Sequence, residues 1–249
     1  MKFDGIILRM GRKDSTREVW MVILGILGGM GPMATCQFFK YIIELTDAKN
    51  DQDHLHIIID NNVNIPDRTE YILGRGEDPR IEMVKSVVKL EAMGADYIAI
   101  PCNTAHYFYA HLVKYTRATI LNMIEETALF LKKKEDEKKD FLLLSTEGTY
   151  KSAIYQETFK SFGLNIIEPN KEDKKIIMEW IYKIKASDFD IGLEEFESLV
   201  TRCIGGENIP IIAGCTELSL LVDKLDIKRK YYDPMIILAK KCVELKKSK

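Results

Sequence analysis

Two cysteines stand in settings that suit chemistry better than packing. Cys102 lies in IPCNTAH, residues 100–106, directly after a proline and directly before two hydrogen-bonding residues. Cys215 lies in AGCTEL, residues 213–218, and repeats much of that arrangement in the second half of the chain. Each follows a short apolar run and precedes residues suited to starting a helix: Asn103 and Thr104 in one case, Thr216 and Glu217 in the other. A helix N-terminus presents unpaired N–H groups and partial positive charge, which favours a thiolate and depresses a thiol pKa. The same groups would receive a carboxylate. Two such thiols on opposite walls of a cleft would supply a base on one face of a carbon and an acid on the other, as inversion of a stereocentre by proton transfer requires. The competing reading is that each is a small buried hydrophobe, a common fate of free cysteine. Cys36, Cys203 and Cys242 fall within predicted helices and read that way.

The elements that must position these thiols alternate between strand and helix. From Met21, MVILGILGGMGPMATCQFFKYII reads as strand, glycine-rich turn and helix. HLHIIIDNN reads as a second buried strand, RIEMVKSVVKLEAMG as an amphipathic helix closed by Gly94, and ADYIAI as a third strand broken by Pro101, with a helix beginning near Thr104 and Ala105. After the charged run KKKEDEKKD (132–140), a solvated helix end or exposed loop, the pattern restarts. FLLLSTEGTYKSAIYQETFKSFG is again strand, polar turn and helix, IIEPN is a short strand, KIIMEWIYKIK and EEFESLVTRCI are helices, and IPIIAGC is a buried strand. Unbroken apolar strands alternating with helices predict mainly parallel sheets covered on both faces. The repeat predicts an α/β fold of two similar lobes with a cleft between them. Residues 21–120 plus 228–249 are expected to form the first lobe and 121–227 the second, with YYDPMIILAKKCVELKKSK returning to the first as a turn and amphipathic helix. Residues 1–20 read as an appendage or the product of an upstream start codon.

The bulk composition narrows the partners. At 249 residues the chain suits one large or two smaller domains. It is 46% hydrophobic and 30% charged with a net charge of −2, so no basic field attracts nucleic acid and a small molecule or protein partner is expected. No apolar run approaches the roughly 20 residues of a membrane-spanning helix, and the run Ile6–Leu8 is too short for a secretory leader. A cytoplasmic protein with reduced thiols is expected. The five cysteines are odd in number, widely spaced and without a C-x-x-C pair, which argues against a disulfide framework or a structural zinc site.

The ordered set GILGGMGPMAT, IPDRT, PCNTAH, GTYKSAIYQ, IYKIKAS and AGCTEL resembles the aspartate/glutamate racemase family, in its aspartate racemase branch. The likeness runs from about Met21 to the C-terminus. It implies two pseudosymmetric α/β lobes with the active site between them, a homodimer, and activity without pyridoxal phosphate, metal or other cofactor. It implies that Cys102 and Cys215 are the catalytic acid/base pair, that Arg68 and Lys185 hold carboxylate, and that Asn103, Thr104 and Thr216 bind substrate beside the thiols. Thr149, with Ser145 or Thr146, occupies the matching turn of the second lobe. Physical chemistry agrees: without an iminium electron sink the Cα proton is very weakly acidic, so a carbanion needs donors at the carboxylate and a dry, closed cleft. Arg68 would serve as a bidentate fork and Lys185 as a point charge, although either type of residue is often only a surface cation.

GGMGPMAT follows a strand and opens a helix, yet it is neither a G-x-G-x-x-G frame nor a Walker loop. Gly28, Gly29 and Gly31 are expected to let the backbone approach a small substrate, with Met30 as a pocket wall. Glutamate racemases tend to carry aspartate and serine in this turn, whereas Leu24 and Gly25 precede the glycines here. His106 is open between orienting a catalytic group and filling a helix, and Glu217 between capping a helix and holding the substrate ammonium. His54, His56 and His111 offer no ligand cluster. The function expected is racemisation of aspartate, with glutamate as a second substrate. A cysteine-dependent isomerase or decarboxylase of small diacids and an idle amino-acid binding protein stand as alternatives.

Overall fold

The computed structural model describes residues 22–135 and 139–246; the appendage expected at residues 1–20 and the middle of the charged run lie outside them. The first half contains β1 (Ile23–Gly28), α1 (Pro32–Leu45), β2 (His56–Asn61), α2 (Arg68–Ile72), α3 (Arg80–Ala92), β3 (Tyr97–Ala99), α4 (Tyr109–Leu112), β4 (Thr119–Ile120) and α5 (Met123–Lys134). The second contains β5 (Asp140–Ser145), α6 (Glu147–Ser152), α7 (Ile154–Ser161), β6 (Asn165–Ile167), α8 (Lys171–Lys185), α9 (Leu193–Ile204), β7 (Ile211–Gly214), α10 (Thr216–Leu225), β8 (Tyr231–Tyr232) and α11 (Pro234–Glu244).

The strands make two four-stranded sheets, ordered β2-β1-β3-β4 and β6-β5-β7-β8. Every pairing is parallel. The second order is the first repeated, so the two expected lobes are present and topologically equivalent. Central strands such as β5 and β7 are apolar along their middles, Phe141–Leu144 and Ile211–Ala213, because helices cover both their faces. One face of the second sheet packs Ile177, Trp180, Phe196 and Leu218 from α8, α9 and α10, and the other packs Leu131, Tyr155 and Phe159 from α5 and α7. The first sheet likewise packs Met83, Val87 and Leu90 of α3 on one side and Phe38, Ile42 and Leu238 of α1 and α11 on the other.

Two details differ from expectation. HIIIDN is an edge strand, half-buried rather than buried, because only β1 pairs with it. Tyr231–Tyr232 pair with β7 in the second sheet, and only the following helix α11 reaches back to pack beside Phe38 and Ile42 of α1. The helical segment expected near Thr104 does begin there, as a 3₁₀ turn, Thr104–Phe108, that runs directly into α4.

The cysteines expected to be inert also separate. Cys242 is buried in α11 and Cys203 half-buried in α9, but Cys36 is exposed on α1 and fills no core.

Candidate active site

In both sheets the strand order reverses between the first strand and the third, which makes that boundary a topological switch point, the place where open parallel sheets bind ligands. Cys102 follows β3 and Cys215 follows β7, so each thiol sits at the switch point of its own lobe. Both line a single small chamber of about 20 Å³, together with Met30, Arg68, Asn103, Thr104, Lys185, Thr216 and Glu217. All of these were singled out from sequence, and the fold brings them together from five separate segments. The chamber is sized for about one water. Beside it opens a cleft of about 750 Å³ that shares Met30, Asp67, Arg68, Lys185 and Glu217 as walls and continues to Val63, Phe189 and Leu220.

Cys102 is held by its backbone. Its carbonyl takes a hydrogen bond from Nδ1 of buried His106 at 2.9 Å, and Nε2 of the same ring accepts from the Met123 N–H at 3.0 Å. Burial pushes the His106 pKa down, so the imidazole is neutral and both nitrogens are committed. His106 therefore braces the Cys102 turn and leaves no nitrogen for proton transfer.

Cys215 is the N-cap residue of α10. Its thiol donates to Oε2 of Glu217 at 3.0 Å, and Thr216 Oγ1 donates to the same oxygen at 3.2 Å. Burial pushes the Cys215 pKa well up, and the Glu217 charge adds to it. Lys185 and the Glu217 N–H at the helix start act the other way without prevailing. The depressed pKa expected from a helix N-terminus is thus reversed, because burial of the thiol, with the Glu217 carboxylate beside it, outweighs a partial charge. Glu217 is a hydrogen-bond partner of the thiol as well as a wall of the chamber.

Lys185, the last residue of α8, reaches across to Asp67 Oδ2 at 3.6 Å. Burial works against its charge, but Glu217, Cys215 and Asp67 outweigh burial and raise its pKa, so the ammonium persists. Asp67 caps α2 by accepting from the Thr69 and Glu70 N–H groups. Burial opposes the Asp67 charge, yet Lys185, these N–H groups and Arg68 hold its carboxyl below the usual range.

Arg68 is buried and largely engaged: Nη1 donates to the carbonyls of Ile65 and Pro66 at 3.2 and 2.8 Å, and Nη2 to that of Met30 at 3.4 Å. With three N–H groups spent, the guanidinium ties the glycine turn to α2, and only its Nε edge, without a protein partner, is left for a carboxylate. The sequence-based picture of a free fork is corrected to that extent.

Thr149 does not line the chamber. It is fully buried behind it, where its hydroxyl and those of Thr104 and Thr146 lie 3.0 Å from one another across the two lobes. Of the two residues paired with it from sequence, Thr146 lines the chamber, while Ser145 donates to the Gly214 carbonyl behind it. The lobes touch closely here. A Cβ on Gly148 of α6 would fall 2.8 Å from Thr69 Cα of α2. In the glycine turn Gly29 and Gly31 line the larger cleft, whereas Gly28 lines neither space. Gly29 has φ +90° and packs against its own chain, where a Cβ would lie 2.4 Å from the Asn62 backbone, while Met30 forms the chamber wall.

Three residues near the thiols were not singled out from sequence. Asp67 and Thr69 line the chamber, and the aspartate preceding a helix in IPDRT is an N-cap signal that points to both. Tyr155 donates its hydroxyl to Asn103 Oδ1 from the other lobe, a contact no local pattern announces.

The family model described as Asp/Glu/Hydantoin racemase matches residues 27–242. The broad specificity amino-acid racemase RacX of Bacillus subtilis (strain 168) is 31% identical over 229 residues, which span 89% of this chain and 96% of that protein. The structure of the Picrophilus torridus aspartate racemase superposes with a TM-score of 0.78 at 30% identity, covering 91% of this chain and 98% of that one. Glutamate racemase from Campylobacter jejuni subsp. jejuni shares the fold, with a TM-score of 0.60 at 17% identity over 91% of this chain and 86% of its own.

Proposed function

This chain belongs to the Asp/Glu/hydantoin racemase family, and on that premise we propose that it interconverts the enantiomers of aspartate, with glutamate as a second substrate, by moving the Cα proton between Cys102 and Cys215. The observation that carries this reading is the convergence of both thiols, one from each lobe, on one chamber that also holds Arg68 and Lys185.

The residues divide the work as follows. Cys102, as thiolate, removes the Cα hydrogen; Cys215, which Glu217 and burial keep protonated in the resting state, delivers its hydrogen to the opposite face. The turnover leaves Cys102 as thiol and Cys215 as thiolate, and exchange with solvent resets them. As the Cα–H bond breaks, negative charge spreads onto the α-carboxylate. The Lys185 ammonium, the Nε edge of Arg68 and the Asn103 amide are the donors nearest that charge, and the burial of Arg68 and Asn103 strengthens their effect. No added cofactor enters this scheme. Because the chamber as it stands is water-sized, an amino acid enters when the walls shared with the larger cleft, Met30 and Glu217 among them, move apart. A cytoplasmic homodimer completes the reading, and light scattering of the purified protein tests the dimer.

The test is proton NMR of L-aspartate with purified protein in D₂O, with chiral chromatography of the same sample. Loss of the α-proton signal with formation of D-aspartate is expected. If aspartate, glutamate and a panel of other L-amino acids all keep their α-proton, the proposal fails, and maleate and related diacids become the substrates to examine.

A further inference from the structure

Among the chamber residues, two keep a buried side-chain polar atom with no protein partner: Arg68 at Nε and Asn103 at Nδ2. Both atoms are N–H donors, so both await an acceptor. For Arg68 that polarity is intrinsic. For Asn103 it is a matter of orientation, because a carboxamide turned by half a rotation would present its oxygen instead.

Tyr155 makes that choice. It is fully buried on α7 of the second lobe, its ring packed 5.5 Å from that of Phe159, and its hydroxyl donates to Asn103 Oδ1 across the lobe boundary. Burial holds the phenol pKa well above its ordinary value, so the hydroxyl always has a hydrogen to give. In the structure that hydrogen goes to the Asn103 amide oxygen, which turns the NH₂ group the other way. Asn103 is 3% exposed, so no bulk water competes to reverse it.

We infer that Tyr155 is a positioning residue: by fixing the Asn103 amide with its NH₂ group free, it gives the site a donor for the carboxylate of the amino-acid substrate. This inference rests on the racemase reading only for the identity of the ligand.

A double-mutant cycle tests it. Tyr155→Phe keeps the ring and deletes the hydroxyl, and kcat/KM for aspartate is expected to fall about tenfold with the dissociation constant rising in step, the worth of one hydrogen bond to a charged group. Asn103→Ala should cost at least as much. In the Asn103→Ala background, Tyr155→Phe should cost nothing further, whereas a merely structural tyrosine would subtract the same amount again. Additive losses overturn the inference and leave the racemase reading intact. Conversely, if no amino acid is racemised but L-aspartate binding by calorimetry follows the non-additive pattern, the racemase reading falls and this one stands. Should Tyr155→Phe fail to fold, the nitrogen-15 NMR signal of the Asn103 side chain, identified by its loss in Asn103→Ala, provides the second measurement. It should shift when L-aspartate is added to the wild type, and an unshifted signal, or a wild type that binds no L-aspartate, overturns the inference.

Discussion

Cys102 and Cys215 follow equivalent strands of equivalent sheets, and their carbonyls are held from equivalent positions. Each cysteine carbonyl is held by the residue four positions on, Cys102 by the His106 ring at 2.9 Å and Cys215 by the Ser219 N–H at 3.1 Å. They part at the second residue after the sulfur. In the first lobe this is Thr104, whose hydroxyl turns away into the threonine triangle. In the second it is Glu217, whose carboxylate takes the thiol hydrogen. The repeated fold thus delivers two sulfurs to one chamber, while burial and the neighbouring Glu217 carboxylate raise the pKa of the second. Pseudosymmetry of backbone does not imply equivalence of chemistry.

Removing either sulfur breaks the comparison most severely. Cys102→Ser and Cys215→Ser should each lower racemisation about 10³-fold, the scale of a lost general acid or base. The lobes should then differ in what remains: residual α-hydrogen exchange in D₂O should favour one enantiomer in the first variant and the other in the second. Exchange favouring the same enantiomer in both would refute the assignment of one thiol to each face.

Glu217→Gln tests the asymmetry itself and should slow turnover about 10- to 100-fold. With the carboxylate gone, the contribution that raises the Cys215 pKa alongside burial is removed, so its thiolate should form at lower pH. Ultraviolet titration of thiolate absorbance in wild type and variant reads that shift directly. No displacement between the two curves would mean that Glu217 does not govern the proton on Cys215.

Much of this comparison could be read from the chain before any coordinates. Apolar runs, glycine turns and the two cysteine-bearing strand ends are local signals, and they place every strand of four residues or more. Strands β4 and β8 are two residues each, too short to show a period, and β8 therefore appeared as part of a returning tail. The sidedness of β2 depends on having one neighbour, which no window of sequence reveals. At the site, residue identities were legible but their commitments were not. Arg68 looked free, yet carbonyls from two loops occupy it. Thr149 looked like a substrate ligand, yet it bonds to Thr104 from the other lobe. The sign of the Cys215 shift was missed because a helix terminus is visible in sequence, whereas burial against Glu217 is tertiary.

Thr104→Val probes the first lobe's counterpart of Glu217 with a smaller effect. The substitution keeps the shape and leaves the Thr146 and Thr149 hydroxyls one partner short, which should lower stability by about 1–3 kcal/mol. Chemical denaturation should show this loss, with turnover changed far less than in Glu217→Gln. A rate loss as large as that of Glu217→Gln would place Thr104 in the proton path and erase the distinction between the lobes.

The supports beneath the two thiols should also answer differently to pH. His106, under Cys102, has its folded pKa lowered by burial, so protons bind the unfolded chain first. Its contribution to stability is present above about pH 6.5 and is lost as pH falls. Asp233, which caps α11 and hydrogen-bonds Ser219 beneath Cys215, is pushed up to about 7 from 3.8, chiefly by burial. Here the folded state holds the proton longer, so stability is fully present below about pH 4 and is lost as pH rises towards 7. Asp233→Asn keeps the cap and removes the titration. Melting temperatures of the variant should therefore no longer carry the decline between about pH 4 and 7, while the loss on acidification due to His106 persists. A variant whose pH–stability curve parallels the wild type throughout would show that Asp233 is ionised in the folded protein, and would leave His106 as the sole pH-dependent support of the pair.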